Sequence, residues 1–207
     1  MKEIRLTWLG HSCFKVEEAG FTVVFDPMKD GSVPGVRPVR EKADLVLCSH
    51  QHGDHNAAEL IDVSDAKPNT VFQISTFTCP HDDADGTKRG MNTIHILDDG
   101  ELRVAHMGDV GCIPEQEIID ALKGVDLMLL PVGGFYTLQP DDAAKLAEMT
   151  GAKVVIPMHY RTDSMGFDVI AEPDAFLAHR DNVVNYDGPC FVLNSETEPQ
   201  TAVLSYK

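Results

Sequence analysis

The chain of 207 residues has the length of one domain, and a hydrophobic content of 43% argues against a disordered chain. A formal net charge of -16 repels phosphate backbones and anionic membrane surfaces, although bound divalent metals would still admit a small anionic substrate. The first residues do not have the character of a signal peptide, and no segment reaches the roughly 20 apolar residues of a membrane span. The five cysteines are scattered along the chain, which predicts reduced thiols in a cytoplasmic protein.

The first half of the chain is predicted to consist mainly of strands and turns. Alternating apolar and polar residues predict strands at residues 3–8, 13–17, 22–25 and 44–48. Residues 55–61 are predicted to form a short helix with Asp54 near its start. Further strands are predicted at 70–75, 92–97 and 101–106, and Asp98-Asp99-Gly100 joins the last two as a hairpin turn.

The second half alternates helices with apolar strands. Helices are predicted at residues 114–122, 140–149 and 174–180, and strands at 126–130, 153–157, 182–185 and 201–205. Two sheets packed face to face, with helices outside, satisfy both halves, whereas a doubly wound parallel sheet does not explain the opening run of strands. We therefore predict a single α+β domain over residues 1–207.

The strongest functional signal is Ser49-His50-Gln51-His52-Gly53-Asp54-His55, which directly follows the apolar residues 45–48. All four of its histidines and aspartates are metal-ligand types, and the ordinary alternative is a polar surface cluster at a helix cap. Residues two apart on a chain leaving a strand point the same way, so His50 and His52 are predicted to share one metal. Asp54 and His55 diverge from that pair and are predicted to bind a second metal.

Later strand ends offer further ligands. Asp109, which follows Gly108, is predicted to bridge the two ions, because such ions lie roughly 3.5–4 Å apart. His159 follows the apolar residues 154–158 as a further ligand, and His81 is the best candidate for a third histidine on the first metal. A turn aspartate and packed or loop histidines are the ordinary alternatives.

The predicted cofactors are two divalent metal ions. The histidines favour zinc, while the mixed nitrogen and oxygen set also accepts manganese or iron. Two such ions lower the pKa of water, so that no serine or cysteine nucleophile is required. Asp54 is predicted to orient that water, or to return a proton to the leaving group, in addition to binding metal.

This ligand pattern resembles the metallo-β-lactamase superfamily, and the resemblance covers nearly the whole chain. Residues 8–14, 25–27, 131–137 and 156–160 look like one branch of it, the small, mostly uncharacterised metal-dependent hydrolases related to ascorbate-6-phosphate lactonases. The resemblance implies a four-layer αβ/βα sandwich of two mixed sheets, with helices on the outer faces and the metals at one edge. It implies a first metal on His50, His52 and His81, a second on Asp54, His55 and His159, and Asp109 between them.

Several other residues are candidates for supporting roles. Asp26 is predicted to accept a hydrogen bond from a metal-bound histidine, or else to be a turn residue. His106 is predicted either to orient a metal ligand or simply to pack in the core. The resemblance favours His11, in the turn after the first strand, as a substrate contact or proton donor that faces the metals.

Two loops contain candidate substrate contacts. Lys88 and Arg89, with Asn92 close behind, would hold a substrate phosphate or carboxylate, and a solvated loop tip is the alternative. Tyr136 or Thr137 is a candidate contact in a loop that is otherwise a plain connection.

The sequence thus predicts a metal-dependent hydrolase of a small ester, lactone or phosphorylated metabolite. The predicted partner is a small-molecule substrate, with no nucleic acid and no membrane; a homo-oligomer is left open. A nuclease or phosphodiesterase acting on RNA is the first alternative, opposed by the net charge of -16 and the lack of a basic segment. A non-hydrolytic di-metal redox protein is the second, opposed by His52, because the similar di-iron proteins carry a carboxylate there.

Overall fold

The computed structural model describes residues 2–65 and 69–206. Its α-helices are α1 (Gln116–Leu122), α2 (Pro140–Thr150) and α3 (Asp174–Leu177), and one 3-10 turn spans Ala58–Leu60. Its strands are β1 (Ile4–Gly10), β2 (Cys13–Glu18), β3 (Phe21–Phe25), β4 (Lys42–Ala43), β5 (Leu45–Leu47), β6 (Asp62–Val63), β7 (Gln73–Pro80), β8 (Met91–Asp98), β9 (Arg103–His106), β10 (Leu127–Pro131), β11 (Val154–Met158), β12 (Val183–Asn185), β13 (Cys190–Leu193) and β14 (Gln200–Val203).

The first half of the chain, together with β13 from near its end, builds a five-stranded mixed sheet in the order β13-β1-β2-β3-β5. Its strands pair antiparallel except for β3 and β5, which are parallel. Side chains alternate between the two faces of a strand, and in β1 this buries Ile4, Leu6 and Trp8 while Arg5 stays exposed. The predicted alternation therefore sets which face of this sheet enters the core.

The second sheet has seven strands in the order β12-β14-β11-β10-β9-β8-β7. It is also mixed, because β7, β8 and β9 pair antiparallel while β9, β10, β11, β14 and β12 are parallel neighbours. Strands β10 and β11 are buried along their whole length, as expected of parallel strands covered on both faces. Helices α1 and α2 form the crossovers between the parallel strands β9, β10 and β11.

The two sheets face each other across one apolar core. Phe25 of β3 stacks on the His106 ring of β9 with their centroids 4.7 Å apart. Leu129 pairs with His106 in the sheet and therefore faces the same side. On the outer face of the five-stranded sheet, a second apolar cluster joins Cys13 and Val24 to residues of the following loops: Met28, Val33, Val39, Ala43 and Ile61. The outer layer there is thus built of loops, the 3-10 turn and the short parallel pair β4 and β6, whereas α-helices cover the other sheet.

The structure differs from the prediction at several elements. The predicted helix over residues 55–61 is wrong, because the backbone of Ala57 is not helical (φ -115°, ψ 48°) and only the 3-10 turn Ala58–Leu60 forms. The predicted strand at 70–75 instead starts at Gln73 and runs to Pro80, and α1 starts at Gln116, so that Pro114 lies outside it. Helix α3 ends at Leu177 instead of at residue 180, and β4, β6 and β13 were not predicted.

No helix within the described ranges combines the length and apolar character needed to cross a bilayer.

Candidate metal centre

The predicted ligands converge at one edge of the two sheets. The histidine-rich segment His50–His55 follows β5 of the five-stranded sheet, whereas Asp109 and His159 follow β9 and β11 of the seven-stranded sheet. His81 comes directly after β7. Because β9 and β11 run parallel to β10, their carboxyl ends reach the same edge, and the facing loop of the other sheet closes the site.

Asp109 lies at the centre of this cluster. Its Oδ2 is 3.2 Å from the Nε2 atoms of both His55 and His159. The same oxygen is 3.5 Å from Nε2 of His81 and 3.9 Å from Nε2 of His50. One carboxylate therefore contacts imidazoles from both sides of the cluster.

The donor atoms form two adjacent groups in which all members lie within 4.8 Å of one another. The first group is His50, His52 and His81. The second group is His11, Asp54, His55 and His159. A third set of donors, His50, His55 and Asp109, connects the two groups.

Unpaired buried atoms show that this cluster fits metal ions. Nε2 of His50, Nε2 of His55 and Oδ1 of Asp109 are buried and have no hydrogen-bond partner among the described residues. Buried polar atoms without partners are costly and rare in folded proteins. Imidazole nitrogen and carboxylate oxygen are also the donors that bind divalent transition metals, so ions would satisfy all three atoms.

The ionisation states of His50 and Asp109 suit metal binding, whereas His55 must lose a proton to ligate a metal. Burial alone would lower the pKa of His55, but Asp109 and Asp26 outweigh it and raise the pKa well above its ordinary value. Burial, assisted by the charge of His55, lowers the pKa of His50 to about 3 and keeps its ring neutral. Burial alone would raise the pKa of Asp109, but His159 and His55 outweigh it and hold the pKa well below its ordinary value. Neutral imidazole and ionised carboxylate are the forms that ligate metals.

Asp26 holds the histidine-rich segment from behind. Its Oδ2 accepts hydrogen bonds from Nδ1 of His55 at 2.8 Å and from the Ser49 hydroxyl at 2.7 Å, and its Oδ1 accepts from the Ser49 N–H at 2.6 Å. The Ser49 hydroxyl also lies 2.9 Å from Nδ1 of His50. Asp26 thus hydrogen-bonds His55, which is a metal-ligand candidate. Ser49 belongs to the same hydrogen-bond network, and the prediction missed it although it directly precedes His50.

His106 lies one step further from the cluster. Its Nδ1 is 4.0 Å from Oδ2 of Asp26 and accepts a hydrogen bond from the Gly108 N–H at 3.1 Å. Its Nε2 donates to the Ser12 carbonyl at 2.8 Å. His106 therefore joins the glycine beside Asp109 to the turn after β1, and it packs on Phe25 as well.

His11 lies against the donor cluster, beside Asp54 and His159. Its side chain is 0% exposed, with Nε2 3.5 Å from Oδ2 of Asp54 and the ring centroid 4.0 Å from that of His159. Burial, followed by the charge of His159, lowers its pKa to about 4. His11 is not among the residues that line the cavity, and its predicted role as a substrate contact or proton donor stays a prediction.

Asn92 does not line the cavity and is not a substrate contact. It is fully buried, its Oδ1 accepts a hydrogen bond from the Asp109 N–H at 2.8 Å, and its amide donates to the Met107 carbonyl at 2.9 Å. A side chain on Gly108 would place a Cβ 2.2 Å from Oδ1 of Asn92, so this close approach requires glycine. Asn92 instead fixes the backbone that carries Asp109.

A cavity of about 400 Å³ opens onto the cluster. Its lining includes Arg89, whose guanidinium carbon lies 5.4 Å from the ring centroid of Tyr136, another lining residue. Lys88 does not line this cavity, because its ammonium group pairs with Asp83 at 2.6 Å. The full lining is Ser32, His52, Gly53, Asp54, His81, Arg89, Asp109, Tyr136, His159 and Phe167.

Three residues of the site have an uncommon backbone conformation. The φ angles of His11, Asp26 and His159 are 52°, 44° and 52°. Residues other than glycine seldom adopt this left-handed region, and such strain clusters at functional sites. At these three positions the contacts of the side chain therefore outweigh the energetic cost of the left-handed backbone.

Known proteins are similar to this chain in sequence and in structure. A family model described as a beta-lactamase superfamily domain matches residues 5–159. A UPF0173 metal-dependent hydrolase of Hyperthermus butylicus is 29% identical, over 84% of this chain and 90% of its own length. Another of that description, from Archaeoglobus fulgidus, is 30% identical over 77% and 84%.

Solved structures show the same fold. A crystal structure of a metallo-beta-lactamase superfamily protein from Thermotoga maritima aligns with a TM-score of 0.75 at 29% identity, covering 97% of this chain and 98% of that one. A metallo hydrolase from Ignicoccus hospitalis aligns with a TM-score of 0.70 at 23% identity, covering 94% and 100%.

Proposed function

This chain belongs to the beta-lactamase superfamily and is a metal-dependent hydrolase, and we propose that it uses two metal ions to hydrolyse a small ester, lactone or phosphorylated metabolite. The observation that carries the proposal is the pair of adjacent donor groups joined at Asp109. His50, His52 and His81 would hold one ion, and Asp54, His55 and His159 the other. Zinc suits the imidazole-rich set best, and manganese or iron are the other candidates.

The chemistry divides between the ions and the chain. Two bound divalent ions supply a nucleophilic water near neutral pH and stabilise negative charge that develops on the reacting group. Asp54 lines the cavity with its side chain 20% exposed, so its carboxylate can orient the water, accept the proton that the water loses, and pass that proton to the leaving group. Burial alone would raise the pKa of Asp54, but the contact of its Oδ2 with Nε2 of His11 and the charge of His55 hold the pKa low and keep the carboxylate ionised.

The cavity favours a small anionic substrate. Its volume of about 400 Å³ suits a metabolite and not a folded macromolecule. Arg89 forms no ion pair within residues 2–65 and 69–206, and it stands over Tyr136 at the cavity wall of a chain with net charge -16. A guanidinium in that position binds carboxylate or phosphate by paired hydrogen bonds. We therefore assign Arg89 to the anionic group of the substrate.

The test is a substrate screen with metal-loaded protein, covering lactones, carboxylate esters, phosphate esters, phosphodiesters and RNA. We expect turnover of a small ester, lactone or phosphate ester that falls to background in Asp109→Asn and His52→Ala. His179→Ala removes an exposed histidine that pairs with Asp141, and it should retain activity. Undiminished turnover in the Asp109 variant would refute the proposed centre, and RNA cleavage without small-ester hydrolysis would favour a nuclease.

A further inference from the structure

We infer that His11 is itself a ligand of the second metal ion, alongside Asp54, His55 and His159. The inference rests on the two-metal centre proposed above. It adds a residue from the turn between β1 and β2, where the resemblance to known hydrolases implied only a substrate contact or proton donor.

His11 lies close enough to the other three donors to share an ion with them. A ring nitrogen of His11 and the donor atoms of Asp54, His55 and His159 all lie within 4.8 Å of one another. Nε2 of His11 is 3.5 Å from Oδ2 of Asp54, close to the 3.6 Å that separates Nε2 of His55 from the same oxygen. His11 thus stands toward Asp54 as the predicted ligand His55 does.

The His11 ring lacks any other polar partner among the described residues. Both ring nitrogens of His11 are buried without a hydrogen-bond partner among the described residues. Each nitrogen of His55, by contrast, has a defined role, since its Nδ1 donates to Asp26 and its Nε2 faces the cluster. A buried imidazole with unpaired nitrogens is costly, and a cation between it and Asp54 would satisfy the nitrogen that faces Asp54.

The backbone also holds the His11 ring in place. His11 adopts the left-handed φ of 52°, and its carbonyl accepts hydrogen bonds from the Trp8 indole at 2.9 Å and the His159 N–H at 3.3 Å. Phe167 packs edge-on against the ring at 5.5 Å. The turn is therefore fixed from both sheets in a conformation that directs the imidazole into the donor group.

The inference changes the expected coordination. With Asp109 between the ions, the second ion would have five protein donors, more than the four of a tetrahedral zinc site. Such a site favours an ion that accepts five or six ligands, and cobalt(II) is the suitable spectroscopic probe because its visible absorption reports coordination number.

The experiment measures metal binding rather than turnover. Metal-free wild type, His11→Ala, His11→Gln and the control His179→Ala are titrated with cobalt(II), and bound metal per chain is measured after gel filtration. Glutamine can still donate a hydrogen bond to Asp54, but it offers no imidazole. We expect about two equivalents in wild type and the control, and a second-equivalent affinity at least about 10-fold weaker in both His11 variants, with an altered cobalt spectrum.

Circular dichroism of the variants, with the first equivalent bound, checks that they are folded. Two equivalents with the wild-type spectrum in His11→Gln would overturn the inference, because the ring would then only donate a hydrogen bond to Asp54. Fewer than two equivalents in wild type would overturn the two-metal centre itself. The two failures are therefore distinguishable.

Discussion

Replacing Glu18 with glutamine should make the protein more stable at alkaline pH. Glu18 ends β2, is 7% exposed, and lies beside Asp99 in the turn between β8 and β9, so the two carboxyl groups join the two sheets. Oε2 of Glu18 and Oδ2 of Asp99 are both buried without a hydrogen-bond partner among the described residues. A proton on Glu18 provides one, and burial together with Asp99 raises the pKa of Glu18 from 4.5 to about 7.

The sign of the effect follows from this raised pKa. Below about pH 4.5, Glu18 is protonated in both the folded and the unfolded chain, and its contribution to stability is fully present. As the pH rises through about 7, that contribution is lost, because the unfolded chain ionises the group more readily. One pKa unit corresponds to about 1.4 kcal/mol, so wild type should lose about 2.5 kcal/mol relative to Glu18→Gln between about pH 5 and about pH 8.5.

The assay is urea unfolding of wild type and Glu18→Gln at both pH values. Glutamine retains the size of the side chain and an N–H donor for Asp99, so the comparison isolates ionisation. Glu3→Gln, at an exposed position, controls for removal of one negative charge. A difference in the free energy of unfolding that is the same at both pH values would refute the shared-proton account of this pair.

Three further substitutions test the site and the core. Arg89→Gln should raise KM about 10- to 100-fold for an ester that carries a carboxylate or phosphate and leave a matched neutral ester unaffected; equal effects on both would count against the anion contact. Asp26→Ala removes the acceptor of Ser49 and His55 and should weaken metal binding about 10- to 100-fold in equilibrium dialysis, so unchanged affinity would contradict its orienting role. Leu129→Ala, between the sheets, should cost about 2–5 kcal/mol in urea unfolding, and a loss below about 1 kcal/mol would argue against tight packing there.

The features predicted well are those set by local periodicity. The alternation of apolar and polar residues located β1, and continuous apolar runs located β10 and β11. The histidine-rich motif was recognisable because it combines several ligand types in one turn directly after a strand. Such patterns are contained in short segments, so they do not depend on how distant parts of the chain meet.

The features missed depend on contacts between distant segments. The expected helix after His55 is replaced by a 3-10 turn, since Ala57 has a non-helical backbone and donates its N–H to Pro27, about 30 positions earlier in the sequence. Strand β13 forms only by pairing with β1 at the other end of the chain. Asn92 looked like a loop residue near two cations, whereas its amide lies under Asp109.

The position of the ligands across both sheets has a thermodynamic consequence. Ions held between the loop after β5 and the loops after β9 and β11 would act as a clasp that ties one half of the sandwich to the other. Because the unfolded chain does not present these donors together, such ions stabilise the folded form by mass action. Thermal stability would then rise with metal concentration, and the melting temperature of the protein would report the occupancy of its metal sites.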